Sequence, residues 1–289
     1  MCFDLENVRP ATPGRLGSEV DSGLIVVAIA RPHPIATGAH ARELSSCLDA
    51  EEKARHGAFR FARDQQVYLA AHGLMRAMLS ECTGVPPRAL SIGKDRWGRP
   101  ELLGPAKAGE VHFSLSHTQG LVACAVSRWA EVGIDVEATA RADLDVLSFA
   151  GVFTAEERRR MESIPPSARA KEFFSSWTLK EAYSKARGLG LHLSFMDFAF
   201  RFVDGQAPQI EFPGSVADDA RRWSFWLDAV APGHVLALAS GRPRPQAVVR
   251  YAWEARELSD AARFYPMGCE TGQEAARRFS TVPTPDRAL

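Results

Sequence analysis

Long apolar runs are missing from this sequence. No stretch approaches the roughly 20 consecutive apolar residues that a membrane-spanning helix needs. The first twenty positions are polar and rich in Pro and Gly, without the apolar centre of a signal peptide. Cysteine is sparse: Cys2, Cys47, Cys82, Cys124 and Cys269 are odd in number and far apart, with neither disulfide-framework nor zinc-ligand spacing. An excess of charge is absent too, since 35 Lys and Arg stand against 35 Asp and Glu. That balance excludes a globally basic nucleic-acid binder. A soluble, cytoplasmic, reducing setting is expected, with no nucleic-acid and no membrane partner.

What is present is ordinary globular material: 289 residues, 46% hydrophobic and 24% charged, enough for two compact lobes. Charge is locally uneven. Residues 51–100 hold nine Lys and Arg against five acids, which suits either an anion site or a solvated helix face.

Residues 1–20 read as a flexible leader. The run Leu24 to Ala30 reads as a buried strand, followed by helices near 39–48 and 50–61. A longer helix is expected from Asp64, its N-cap, to about Cys82, stopped by Thr83-Gly84. Strands are expected near 90–93, 111–115 and 121–126. The same order returns with a strand at Val132 to Glu137, helices near 143–149, 154–162 and 167–187, and strands near 195–203, 209–212, 223–230 and 235–239. The first strands of the two series lie about 108 residues apart, and Leu121-Val-Ala-Cys-Ala-Val-Ser resembles Val235-Leu-Ala-Leu-Ala-Ser. These features predict an α+β fold of two similar lobes, 21–128 and 129–258, produced by internal duplication and related by pseudo-twofold symmetry, with a ligand cleft along the axis. A further strand is expected near 246–253, and residues 259–289 read as a tail.

Four constellations can carry chemistry. In Val132-Gly133-Ile134-Asp135-Val136-Glu137, strand alternation puts Asp135 and Glu137 on one face, their Cα atoms roughly 6.5–7 Å apart. Their oxygens can converge on one hard cation; a solvated strand face is the plain alternative. In the helix through Trp177, the residues Phe174, Trp177, Glu181 and Lys185 follow 3- and 4-residue spacing, so Glu181 prolongs an aromatic stripe and needs a cation if buried. A surface Glu–Lys pair is the alternative there. Phe113-Ser-Leu-Ser-His117-Thr-Gln-Gly120 reads as a strand entering a tight turn, where hydroxyls and an imidazole suit a phosphate; a plain turn histidine is the alternative, and no elbow glycine or orienting acid marks a nucleophile. Lys94-Asp-Arg-Trp-Gly98-Arg99-Pro100 reads as a basic loop that could grip phosphates or stack a base on Trp97, with a charged hairpin tip as the alternative.

The order and spacing of these elements resemble the 4′-phosphopantetheinyl transferase superfamily, through Gly133-Ile-Asp-Val-Glu137 and, about 40 residues later, Trp177-Thr-Leu-Lys-Glu-Ala-Tyr-Ser-Lys185-Ala-Arg-Gly-Leu-Gly-Leu191. The supporting segments are 48–64, Gly98-Arg99-Pro100 and Phe113 to Thr118. The resemblance covers roughly residues 24–250 and points to the double-length class, in which one chain, acting as a monomer, carries two lobes. It implies an enzyme that moves the phosphopantetheine arm of coenzyme A onto a serine of an apo acyl, peptidyl or aryl carrier protein, releasing 3′,5′-ADP. It further implies that Asp135, Glu137 and Glu181 ligate Mg²⁺ (or Mn²⁺). Lys185 would touch the reacting phosphate and Lys180 would support the same region. Ser116, His117 and Thr118 would meet the 3′-phosphate or ribose. Arg55 and Arg63 would add phosphate contacts, and Gly98, Arg99 and Pro100 would lie beside the adenine. Glu181, or a water it orients, would take the serine proton. Arg99 departs from the family's lysine, and Glu52 stands where a lysine is often found. A protein that only binds coenzyme A or a carrier, and a different metal-dependent phosphotransfer enzyme, are the rival readings. Arg187 with Leu189, Leu191 and Leu193 offers a carrier-docking segment or a satellite of the core.

Overall fold

The structure, a computed structural model, describes residues 9–105, 111–139, 146–213, 218–242, 247–254 and 262–270. In chain order the elements are α1 (Arg15–Asp21), β1 (Ile25–Ala30), α2 (Pro32–Ile35), α3 (Gly38–Cys47), α4 (Ala50–Ala58), α5 (Ala62–Thr83), β2 (Ser91–Lys94), β3 (Pro100–Gly104), β4 (His112–Thr118) and β5 (Leu121–Ser127). Then follow β6 (Val132–Ala138), α6 (Val146–Phe149), α7 (Ala155–Ser163), α8 (Pro166–Arg187), β7 (Ala199–Arg201), β8 (Gln209–Glu211), β9 (Ser224–Ala231), β10 (His234–Ser240), β11 (Val248–Glu254) and β12 (Arg263–Glu270). They form two compact units, one of Met1–Ala130 with Ala247–Cys269, the other of Glu131–Gln246 with Glu270–Leu289.

In the first unit a five-stranded sheet runs β12-β11-β1-β5-β4. The β-branched run of β1 is buried along its whole length, so both of its edges need partners. It pairs antiparallel with β5 and parallel with β11. Helix α5 packs Leu74, Met75, Met78 and Leu79 into the core beneath this sheet. It ends at Gly84, whose φ of 72° supplies the left-handed cap. The second unit has a three-stranded sheet β6-β10-β9, with α8 packed on β6 and β10. Helix α8 is also 22 residues long and also stops at a left-handed glycine, Gly188 with φ 66°. Each unit thus runs strand, 22-residue helix, small hairpin, large hairpin, and in each the first strand pairs with the last strand of the large hairpin. The expected repeat of elements is present as strand order.

Several expectations are corrected. The leader is partly helical: Leu16 and Val20 of α1 are fully buried against the first core. Helix α5 begins at Ala62, with Asp64 inside its first turn rather than at the cap. A 3₁₀ turn, Phe195–Asp197, occupies the start of the strand expected at 195–203. The strand near 246–253 belongs to the first unit, because the open edge of β1 is where its backbone groups pair. The expected tail supplies β12, which extends that sheet; its 259–261 and 271–289 lie outside the described residues, as do 1–8 of the leader and 143–145 of the expected helix.

Candidate functional site

The motif on β6 is placed by a glycine. A Cβ at Gly133 would come within 2.0 Å of the Ala182 carbonyl oxygen and 2.4 Å of the Ala186 nitrogen. Strand β6 therefore lies directly on the backbone of α8. Asp135 and Glu137, two and four residues on, share that face. Asp135 is 4% exposed, and Lys185 Nζ stands 2.6 Å from its Oδ1. Glu137 Oε1 accepts from the Trp177 indole at 3.2 Å. The alternation expected of a strand with one solvated face is not what the fold uses: Val132, Ile134 and Val136 are buried, and so are Gly133 and Asp135.

Trp177 is set by neighbouring rings. It stacks on Phe173, centroids 6.1 Å apart, and meets Phe153 and Phe195 edge-on. Glu181 follows one turn later. Burial pushes its carboxyl above the ordinary range, the charge of Asp135 adds to the rise, and Lys185 opposes it. Among the described residues no three His, Cys, Asp or Glu side chains form a ready metal cluster; the ammonium of Lys185 is the cation beside Asp135. The chemistry of the donors is nevertheless of the kind a hard divalent ion takes: three carboxylates would offer oxygen only, and Glu181 is held up by burial and by the charge of Asp135.

Lys180 is a correction. It is fully buried, with Nζ 3.0 Å from Glu157 Oε2, itself fully buried. Nζ also donates to the Phe195 carbonyl at 2.7 Å and to that of Phe198, and lies 4.4 Å from the Phe198 ring centroid. Burial lowers its ammonium to about 8 against the pull of Glu157. Glu157 is fixed by its capping box with Thr154 and by the Phe200 amide. Lys180 braces the interior of the second unit rather than facing a ligand, because it lies off the stripe of Glu181.

In the first unit a cavity of about 460 Å³ is lined by residues of α4, α5, β2, β3 and β4. Arg55, Pro100 and His117, three of the expected site residues, line it together with Lys94 of the basic loop and with Tyr68 and His72, which the sequence did not single out. Beneath them the fully buried Arg76 donates to Glu52, Asp49 and the carbonyls of Pro87 and Leu90. Glu52 is thereby part of the scaffold, and with Asp49 it closes the capping box of α4. Burial alone would push its carboxyl up, but hydrogen bonds from His72, Arg76 and the Asp49 backbone hold it at about 2. The Asp-x-x-Glu spacing at 49–52 was the available signal.

Other expected residues do not line this cavity. Ser116 and Thr118 alternate with His117 along β4, which continues to Thr118 before turning at Gly120 (φ 85°), so they occupy the opposite face and are buried. Arg63 is largely exposed and pairs with Asp64 at 3.4 Å. Gly98 (φ 86°) makes the turn between β2 and β3, where Asp95 Oδ1 accepts from the amides of Trp97 and Arg99. Arg99 lines a separate cavity with His112, Arg128 and Trp129. Leu189 and Leu193 pack against the core of the second unit, and Arg187 is held by Asp218 and the Tyr183 hydroxyl. The core-satellite alternative therefore describes these two leucines.

Residues 131–239 match the family described as the 4′-phosphopantetheinyl transferase superfamily, and residues 36–128 match its "4′-phosphopantetheinyl transferase, N-terminal" family. The chain is 34% identical to the 4′-phosphopantetheinyl transferase HetI of Nostoc sp. over 151 residues, 52% of this chain and 63% of that protein, less than two thirds of its length. It is 30% identical to the 4′-phosphopantetheinyl transferase psf-1 of Bacillus pumilus over 206 residues, 70% of this chain and 82% of that protein. Against a 4′-phosphopantetheinyl transferase of Bacillus subtilis the identity is 27%, covering 62% of this chain and 77% of the other. With both halves of the chain matched and the carboxylate motif seated on α8, the chain belongs to the 4′-phosphopantetheinyl transferase superfamily.

Proposed function

We propose that this chain transfers the 4′-phosphopantetheine group of coenzyme A to a serine of an apo acyl, peptidyl or aryl carrier protein, giving the holo carrier and 3′,5′-ADP. The observation that carries the reading is the seating of β6 on α8 at Gly133, which sets Asp135 beside Lys185 and Glu137 beside Trp177. The repeated strand order supports the double-length form of the family.

Asp135, Glu137 and Glu181 would hold a divalent cation, Mg²⁺ or Mn²⁺. When bound, such an ion supplies charge stabilisation at a pyrophosphate. Lys185, beside Asp135, would serve the reacting phosphate and neutralise charge as the bond breaks. The serine oxygen forms a bond to the β-phosphorus, the bond from that phosphorus to the bridging oxygen breaks, and 3′,5′-ADP departs with the electron pair. Glu181, lifted by burial and by Asp135, or a water it orients, accepts the serine proton. Arg55 and His117 would meet the nucleotide phosphates in the first unit's cavity.

The test is direct. Protein, Mg²⁺ and coenzyme A are incubated with an apo carrier, and the intact carrier is weighed by mass spectrometry. The expected gain is one phosphopantetheinyl group, lost on chelation, restored by Mg²⁺ and absent with Asp135→Ala. An unshifted carrier mass across acyl, peptidyl and aryl carriers sinks the proposal.

A further inference from the structure

The cavity of the first unit contains an imidazole arranged for more than packing. His72 of α5 shares its wall with Arg55, Lys94 and His117. Its ring stacks on Tyr68 with centroids 4.0 Å apart and planes 25° apart, and Nδ1 lies 2.8 Å from Glu52 Oε1. An ionised carboxylate only accepts, so Nδ1 carries a proton. Glu52 cannot swing away, because Arg76 grips its other oxygen and its own backbone amide is capped by Asp49. The stack and the hydrogen bond together leave the ring one orientation. Nε2 has no hydrogen-bond partner among the described residues, and the side chain is 22% exposed.

Charged groups stand on both sides of the ring. Behind it, the carboxylates of Asp49 and Glu52 face the single guanidinium of Arg76. Towards the cavity stand Arg55 and His117, with Lys94 engaged by Glu51 at 2.8 Å. Nδ1 is committed to Glu52, so Nε2 is the atom the ring offers to the cavity, and a phosphate meeting it there would share a proton with it. We infer that His72 is a further phosphate-binding residue, oriented by Glu52 and presenting Nε2 to a phosphate at the nucleotide end of coenzyme A. This rests on reading the cavity as the coenzyme's nucleotide pocket. It also gives Glu52 a functional consequence: the carboxylate works by orienting an imidazole from the next helix.

Two substitutions separate the roles of the ring. The amide nitrogen of His72→Asn can replace Nδ1 toward Glu52 but leaves nothing at Nε2. That of His72→Gln can reach the Nε2 position as a neutral donor. Binding of 3′,5′-ADP, 3′-AMP, 5′-AMP and adenosine is measured by titration calorimetry on the full chain. His72→Asn should weaken 3′,5′-ADP by about tenfold or more, His72→Gln by less, and adenosine should change by less than about twofold. A loss confined to 3′-AMP assigns the 3′-phosphate, and one confined to 5′-AMP the 5′-phosphate. Unchanged 3′,5′-ADP binding by His72→Asn, or an equal loss with adenosine, overturns the inference. Should His72→Asn fail to fold, His72→Gln decides by the same comparison. Wild-type protein that binds none of the four probes overturns the reading of the cavity itself.

Discussion

The indole nitrogen of Trp177 donates to Glu137 Oε1 at 3.2 Å, tying α8 to β6 across 40 positions of sequence. The rings of Phe153, Phe173 and Phe195 leave the indole little freedom, so Trp177 orients the carboxylate it touches. Trp177→Phe keeps the packing and removes the donor. Its half-saturating Mg²⁺ concentration in the carrier assay should rise about tenfold, as when a group behind a metal ligand is lost. An unaltered Mg²⁺ titration would show that Glu137 needs no such support.

The Lys180–Glu157 pair is a second structural commitment. Lys180→Met strands a buried carboxylate and should cost about 3–5 kcal/mol in urea denaturation. Adding Glu157→Gln should return part of that loss. The Michaelis constant for coenzyme A in the remaining folded protein should stay at its wild-type value; a rise without loss of stability would restore Lys180 to the ligand contacts.

Acid should find Glu52. Its folded pKa of about 2 lies below the ordinary 4.5, so between those values the unfolded chain binds more protons than the native one. The contribution is complete above pH 4.5 and disappears as pH falls through 2, amounting to about 3 kcal/mol. The stability gap between wild type and Glu52→Gln should accordingly narrow from pH 4.5 to 2. A gap constant over that window contradicts the assignment.

Leu189 is partly buried against the second core. Leu189→Ala should lower stability by about 2 kcal/mol, the lower end for an aliphatic truncation, while the Michaelis constant for the carrier stays the same. A selective rise in that constant would recover the docking role.

Local pattern carried much of this structure. The two long helices follow from apolar periodicity and their glycine stops, and the β6 carboxylates from alternation beside Gly133. Non-local pairing was hidden: nothing in the composition of 248–254 says that its partner is a strand more than two hundred residues earlier. At Ser116 and Thr118 the difference is one of strand length: the strand expected to stop at 115 continues through His117 and sends that residue's neighbours to the other face. At Lys180, helical spacing gave the stripe to Glu181 but could not reveal Glu157 arriving from another helix. His72 escaped because a lone histidine on an apolar helix has no signature until its partner's position is known.

The parallel pairing of β11 with β1 makes the second unit, in terms of connectivity, an insertion between β5 and β11 of the first. A chain emerging from the ribosome thus has its first sheet incomplete while residues 131–246 are being made. For that whole interval one edge of β1, a buried apolar strand in the finished protein, offers its backbone to any passing strand. Shortening the chain to residue 242 would make that interval permanent, and the product should aggregate even though every residue of the carboxylate site is still present.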